Sequence, residues 1–344
     1  MITPPSAVVL AEARQRLTAL ATPTGALGRL EGLAAWLAAC QGVCPPRPLD
    51  RVRAVILAGD HGVSHDRVSA YPRAVTAVMV RAFCAGRAGA NSLARQHGVA
   101  LRVLDLGVDD DLDDLPAEVS AYHVGPSQPI DRADALSSTD CRYAMCAGKI
   151  IADVEIDAGA DLLIVGDMGI GNTTPAAAVI AATFGLTADQ VVGRGTGIDD
   201  VRLLRKSEVI AAALRRVGDR AADPEVRLAA LGAADFAATV GFLRTAARRG
   251  VPVLLDGIVS VAAAGVAEDL EPGMIAWCAA GHRSTEPAQQ LALAKLGLEP
   301  ILDLDLRLGE GTGALTALPV LRSAALLLAE VALLEDLLPA PAGD

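Results

Sequence analysis

The sequence predicts an α/β fold, a Rossmann-like parallel sheet flanked by helices, with a small helical domain formed by the N- and C-terminal segments. Short, largely apolar runs recur through the middle of the chain, at 52–57, 100–106, 162–165, 251–255 and 274–279. Helical stretches separate each run from the next, which is the rhythm of βαβ units. Both chain ends carry long Ala/Leu patterns at helical spacing instead. Strands covered on both faces need no polar alternation, and Val, Leu and Ile fill these runs.

At the N-terminal end, residues 6–21 and 27–41 read as helices, broken by Pro23-Thr24-Gly25. Pro45-Pro46-Arg47-Pro48 then reads as a stiff linker. At the other end, residues 314–338 read as one long helix and Pro339–Asp344 as a frayed tail. The expected division is therefore a helical domain of residues 1–48 and 318–344 and a Rossmann-like domain of residues 49–317.

Composition bounds the function. The 344 residues are 52% hydrophobic and 21% charged, a globular balance, but only 3% aromatic, so Ala, Val and Leu must build the core. The net charge of −11, from 30 basic and 41 acidic residues, argues against nucleic acid as a partner. An anionic substrate would need a local nest of backbone N–H groups against this global field. The six cysteines, Cys40, Cys44, Cys84, Cys141, Cys146 and Cys278, show no CxxC spacing, and the five histidines do not cluster with them. No metal site is expected. Glu12, Arg14 and Arg16 interrupt the apolar residues that a signal peptide would need. No uncharged run approaches the ~20 residues of a membrane span. The expected setting is the cytoplasm, with free thiols and no membrane partner.

Ligands of such folds bind beyond the carboxyl ends of the strands, so the segments that follow the strands carry the functional reading. Asp60 and His61 follow the first run in a Gly-flanked loop. They read equally well as site residues or as a capped turn. After the third run comes Gly166-Asp167-Met168-Gly169-Ile170-Gly171-Asn172-Thr173-Thr174-Pro175, then an Ala-rich helix. Pro175 suits the first helical position and Thr174 the N-cap. Glycines beside a helix N-terminus make an anion site, most naturally for phosphate. The hydroxyl and amide side chains of Asn172, Thr173 and Thr174 exceed what a turn needs. No GxGxxG follows a strand with an acidic residue ~20 positions later, so this is not a dinucleotide fingerprint.

The segment from Gly193 through Gly195 to Gly197 is a second Gly-rich loop, and the helix after it carries Arg205 and Lys206. Nearby cations would complement phosphate. On spacing alone, Lys206 reads as a solvated helix residue. Asp256-Gly257 follows the fourth run and Gly281-His282-Arg283-Ser284 the fifth. Ser284 reads as the cap of a helix whose first residues include Glu286 and Pro287, and His282 as either a ligand contact or a buried, hydrogen-bonded histidine. Finally, Gly309-Glu310-Gly311-Thr312-Gly313 opens the C-terminal helix. A carboxylate there favours a helix N-terminus. Between flexible glycines it is also exposed to a ligand, which makes Glu310 a credible catalytic base.

Together these blocks resemble the nicotinate-nucleotide:dimethylbenzimidazole phosphoribosyltransferase family. The matching stretches are PTGALGRLE at 23–31, AGDHGV at 58–63, GDMGIGNTTPAAA at 166–178, VVGRGTGIDD at 191–200, PVLLDGIVS at 252–260, GHRSTEP at 281–287 and LRLGEGTGAL at 306–315. They are colinear and span nearly the whole chain. The resemblance implies transfer of phosphoribose from nicotinate mononucleotide to 5,6-dimethylbenzimidazole, giving α-ribazole 5′-phosphate and nicotinate, by a homodimer without metal or redox cofactor. It carries the family base onto Glu310 and a carboxylate beside base and ribose onto Asp167, one methylene shorter than the glutamate of some relatives. It carries a lysine near the phosphate onto Lys206, and lining of the base pocket onto Tyr71, Met79 and Met168. Gly169, Gly171, Asn172, Thr173, Thr174, Gly195, Ser284, Gly309 and Gly311 complete the expected substrate contacts. The large, apolar lining suggests a base other than dimethylbenzimidazole or a choice of several, since Met adapts to irregular ligands. Two other readings stand beside this one. A non-catalytic sensor of nicotinate mononucleotide is opposed by the intact Gly-Glu-Gly-Thr-Gly, and a dinucleotide oxidoreductase by the missing fingerprint.

Overall fold

The computed structural model describes residues 2–338. Five parallel strands form its central sheet, β1 (Val52–Gly59), β2 (Ala100–Gly107), β3 (Leu162–Met168), β4 (Val253–Leu255) and β5 (Cys278–Ala280), in the order β2-β1-β3-β4-β5. A two-stranded parallel ribbon joins β6 (His282–Arg283) to β7 (Leu302–Asp303). The α-helices are α1 (Ala7–Ala19), α2 (Arg29–Gln41), α3 (Val75–Cys84), α4 (Gly89–Gln96), α5 (Ser138–Asp157), α6 (Thr173–Phe184) and α7 (Ala188–Val191). They continue with α8 (Asp200–Val217), α9 (Pro224–Leu231), α10 (Ala234–Arg248), α11 (Ile258–Leu270), α12 (Pro287–Leu296), α13 (Thr312–Glu330) and α14 (Leu334–Leu337).

Period-two alternation divides the strand side chains between two cores. Val55, Leu57, Leu163, Val165, Val253 and Leu255 face one layer, with α5, α6, α10 and α11. Ala54, Ile56, Leu162, Ile164 and Leu254 face the other, with α4 and α13. All are buried, so the expectation of a parallel sheet covered on both faces holds. Small residues replace aromatic ones by letting helices approach closely. A methyl group at Gly148 of α5 would stand 1.8 Å from the Ala238 carbonyl oxygen of α10, so only glycine permits that crossing.

The chain ends meet. Ala13, Ala34, Ala35, Ala38, Ala324 and Leu328 make a separate apolar cluster, Arg16 Nε donates to the Leu328 carbonyl at 2.8 Å, and Leu20 bridges Leu333. Helix α13 has the length and apolar composition of a membrane span, yet much of it is buried, and Arg322 within it donates to the carbonyls of Leu49 and His97.

Several boundaries differ from expectation. The C-terminal helix starts at Thr312 and stops at Glu330, before the short α14. Residues 274–277 are a 3-10 turn, and the strand there is Cys278–Ala280. Helix α6 begins at Thr173, not after Thr174. Gly171, at φ +91°, turns the chain early, and Asn172 already has helical angles, so Thr174 sits inside the first turn and Pro175 third in the helix. The tail expected at 339–344 lies outside the described residues.

Candidate active site

The chain runs from β1 outward to β2, then returns across β1 to β3. This reversal places a crevice at the carboxyl ends of β1 and β3, where open α/β sheets bind ligands. The last two residues of β3 are Asp167 and Met168. Asp167 is only 7% exposed, and its Oδ2 accepts the Asn172 amide at 2.5 Å. Asn172 therefore does not cap α6 with its side chain, and the helix N-terminus stays open to an anion.

Glu310 enters from the turn before α13. Gly309, Glu310 and Gly311 all have left-handed angles, at φ +78°, +64° and +79°. β3 passes directly beneath: a methyl group at Gly166 would stand 2.5 Å from the Gly311 nitrogen. The same construction at Gly309 reaches 3.9 Å from Asp167 Oδ2, so the residue that precedes Glu310 abuts Asp167. Contrary to the sequence expectation, the glycines do not expose Glu310. It is 5% exposed, and its Oε2 accepts the Ala90 N–H at the start of α4 at 3.4 Å.

The two carboxyls are electrostatically linked. Burial pushes the Asp167 carboxyl well above the ordinary range, the charges of Asp256, Asp235 and Glu310 push it further, and the Asn172 amide opposes them. Burial likewise raises the Glu310 carboxyl, with a contribution from Asp256, while the Ala90 N–H pulls the other way. Such displacement is what a carboxylate needs to accept protons near neutral pH.

Lys206 overturns its solvated reading. It is fully buried; Nζ donates to Thr173 Oγ1 at 2.8 Å and to the Gly193 carbonyl at 2.9 Å, with Glu286 Oε2 at 3.8 Å. It thus ties the start of α6 to the second glycine loop. Burial lowers its pKa, and the Glu286 charge opposes that shift. Glu286 Oε1 accepts the Gly195 N–H at 2.7 Å. Arg205 turns away to Asp66 and Glu208. Ser284 does not cap α12, which starts at Pro287; its Oγ accepts the Glu286 N–H instead.

One cleft, with a volume of about 80 Å³, is lined by Asp167, Asn172, Thr173, Gly195, Ser284 and Gly309. Wider grooves exist, one of 460 Å³ beside α5 and α9, but they lack the convergent glycine loops and buried carboxylates. Gly169 and Gly171 flank the cleft on the β3–α6 loop. Thr174 is buried behind it, its hydroxyl without a partner. Met79 and Met168 are not among the residues lining this cleft; they share an apolar layer with the first turns of α13. Tyr71 is not brought into the cleft; it is 56% exposed, in a segment held to the second glycine loop by the Ala70 N–H on Thr196 Oγ1. Asp60 and His61 are buried behind the β3 loop, His61 Nε2 lying 3.5 Å from Asp235.

Sequence reasoning gave no role to Asp256, Glu286 or Arg307. Glu286 and Arg307 line the cleft, and Arg307 donates to the Gly195 carbonyl. Asp256 is fully buried, its Oδ2 accepting Gly311 N–H at 3.1 Å and its Oδ1 Ala314 N–H at 3.0 Å. Its place at a strand end, before a glycine, was the available signal. Among the described residues, no group of three or more His, Cys, Asp or Glu is arranged to hold a metal ion.

Buried carboxyls with raised proton affinity near an open helix N-terminus make a site for acid–base chemistry on an anionic substrate. Comparison with known proteins narrows the class: residues 2–337 match the family profile described as phosphoribosyltransferase. The chain is 52% identical over 332 residues to the nicotinate-nucleotide–dimethylbenzimidazole phosphoribosyltransferase of Mycobacterium marinum, covering 96% of this chain and 92% of that protein. It is 51% identical to the one from Mycobacterium tuberculosis, covering 96% and 91%. Among solved structures, CobT from Thermus thermophilus superposes with a TM-score of 0.91 at 42% identity, over 95% of this chain and 98% of that one. The chain belongs to the nicotinate-nucleotide–dimethylbenzimidazole phosphoribosyltransferase family.

Proposed function

We propose that the protein transfers the phosphoribosyl group of nicotinate mononucleotide to 5,6-dimethylbenzimidazole or a related aromatic base, releasing nicotinate and forming α-ribazole 5′-phosphate for the nucleotide loop of cobamides. The observation that carries this reading is the pair of buried, electrostatically linked carboxyls, Asp167 and Glu310, at the switch point of a sheet whose β3 strand leads to an open helix N-terminus. The 5′-phosphate lies at the start of α6, against Gly169–Thr174. Lys206 acts there by fixing Thr173 and the Gly193–Gly195 segment, and by adding a charge that Glu286 partly offsets.

The ring nitrogen of nicotinate is cationic in the substrate and neutral on leaving, so the departing group needs no proton. As the C1′–N bond breaks, positive charge develops on the ribosyl ring, and Asp167 stabilises it. One nitrogen of the benzimidazole attacks C1′ from the opposite face, which inverts β to α. Its other nitrogen must lose a proton, and the Glu310 carboxylate accepts it. Met168 and Met79 line the base side, with Tyr71 at its rim. No metal or redox cofactor takes part. The working unit is a homodimer in the cytoplasm, each chain divided into residues 1–48 with 318–344 and residues 49–317.

Incubating purified protein with nicotinate mononucleotide and a panel of aromatic bases, followed by product mass analysis, tests this directly. The expected product is an α-riboside monophosphate of at least one benzimidazole. Nucleotide binding without product from any base would leave a sensor.

A further inference from the structure

A glutamate in the left-handed region is strained, at a cost on the order of 1–2 kcal/mol, and persists only where its surroundings determine it. Glu310 stands in the middle of three such residues. Two elements hold the turn in place. Gly166 of β3 supports it from below through close backbone packing. Asp256, at the end of β4, accepts the N–H of Gly311 and that of Ala314, and so caps the first turn of α13 from across the sheet. Asp256 is itself anchored: its N–H donates to Ser260 Oγ at 3.0 Å, and its carbonyl accepts the Gln289 amide at 3.0 Å.

We infer that Asp256 is a positioning residue for the catalytic base: its carboxylate fixes the Gly309–Gly311 turn so that Glu310 faces the reacting base. This inference rests on the reading of Glu310 as the base. The charged and titratable groups around the pair come from every packed element. Asp167 lies on β3, Asp235 on α10 acts on Asp167, and His282 on β6 has Nε2 3.6 Å from Asp256 Oδ1. Arg307 precedes the turn and is engaged by the Gly195 carbonyl, while the Ala90 N–H of α4 meets Glu310. Of these, Asp256 alone bonds to the turn that carries Glu310 and also raises its proton affinity.

The test is a double-mutant cycle on the full chain, comparing wild type, Asp256→Asn, Glu310→Gln and the double variant, with kcat measured against pH and calorimetric binding of nicotinate mononucleotide as the check on folding. Asp256→Asn keeps the shape, loses the charge, and turns an N–H donor toward one of the two capped N–H groups. We expect kcat to fall ~10–100-fold, with nucleotide binding changed less than ~3-fold and the acid limb of kcat displaced to lower pH. In the Glu310→Gln background the same substitution should cost less than ~2-fold, because the group it serves is already gone. A comparable loss in both backgrounds, or an unmoved acid limb, overturns the inference and leaves Glu310 as base. Near-normal turnover by Glu310→Gln overturns the base assignment, and the inference with it. If Asp256→Asn gives no folded protein, Ser260→Ala loosens the same anchor without touching a charge. Its expected ~3–10-fold loss must likewise vanish in the Glu310→Gln background.

Discussion

Lys206 and Thr173 meet inside the protein, the ammonium donating to the threonine hydroxyl at 2.8 Å across 33 positions of sequence. The bond joins α8 to the first residue of α6, while Glu286 balances the charge from the other side. Lys206→Met should therefore have two separable effects. Removing one member of a buried pair leaves Glu286 uncompensated, which costs about 3 kcal/mol of stability. Losing a charge-assisted contact weakens nucleotide binding by ~10–100-fold. Adding Glu286→Gln should restore most of the stability and none of the affinity. Thermal denaturation and calorimetry read the two effects; wild-type affinity in the single variant would remove Lys206 from the phosphate site.

The pattern of burial gives Asp167 an opposite signature. Its folded carboxyl titrates well above the ordinary range, so between the ordinary value and the raised one the folded state holds a proton that the unfolded state has lost. Stability therefore declines as pH rises through that window and stays lower above it. Asp167→Asn should be more stable than wild type at neutral pH, with a higher Tm, while losing turnover. Denaturation midpoints at several pH values decide this. A variant less stable than wild type at neutral pH would mean that the Asn172 bond outweighs desolvation.

Much of this site was legible in the sequence because its chemistry is carried by loops whose residue types have no other use. A glutamate between two glycines stands out from any apolar pattern, and three polar side chains after β3 exceed the needs of a turn. The five strands were legible because parallel strands covered on both faces are mostly apolar, the charged exceptions being Arg53 in β1, Arg102 and Asp105 in β2 and Asp167 in β3. Burial was not legible. Lys206 lies on a helix rich in Arg and Glu, and nothing local tells that its side chain points under the second glycine loop toward Glu286, 80 positions away. Asp256 was missed for the same reason, since its partners Gly311 and Ala314 lie on the far side of a sheet crossing. The start of α6 was misplaced by a single glycine, Gly171, whose positive φ turned the chain earlier than capping propensity indicated.

Met79 and Met168 pack against one apolar layer, which also holds Ala314 and Leu315 of α13. Met79→Gln should consequently redistribute rates among aromatic bases by more than it changes nucleotide affinity. Competition assays with paired bases give the ratio of kcat/KM for each pair. Uniform loss across bases, matched by weaker nucleotide binding, would place Met79 outside the base pocket. Tyr71 is exposed and outside the cleft, so Tyr71→Ala should shift base preference less than Met79→Gln does.

A stable symmetric homodimer is expected at micromolar concentration. Exposed apolar side chains, among them Tyr143, Ile150 and Val154 of α5, remain on the surface of the single chain. Light scattering should return about twice the 35.2 kDa of one chain. A monomer mass at micromolar protein would refute it.

The most direct experiment concerns Glu310. Glu310→Gln keeps the length and shape of the side chain and can still reach the Ala90 N–H through its carbonyl oxygen, but it cannot take up a proton from the attacking base. General-base catalysis contributes ~10²–10⁴-fold in rate, so turnover should drop by that order. Nicotinate mononucleotide should bind nearly as before, because the phosphate contacts proposed above lie on the β3–α6 loop and not on the Glu310 turn. In the wild-type enzyme the same carboxyl, raised by burial and by Asp256, should produce an acid limb in kcat above the ordinary carboxylate range: activity falls as pH is lowered and Glu310 takes up a proton. The variant should lack that limb. Asp167→Asn should lower turnover less, since it removes an electrostatic contribution but not the proton acceptor. The competing account gives Glu310 only the task of favouring the N-terminus of α13, where a charge contributes well under ~1 kcal/mol at an exposed position. On that account Glu310→Gln turns over at nearly the wild-type rate with its acid limb intact, and Asp167 is left as the remaining proton acceptor. Steady-state rates from pH 5 to 9 for both variants, with calorimetric titration of the nucleotide, separate the two accounts.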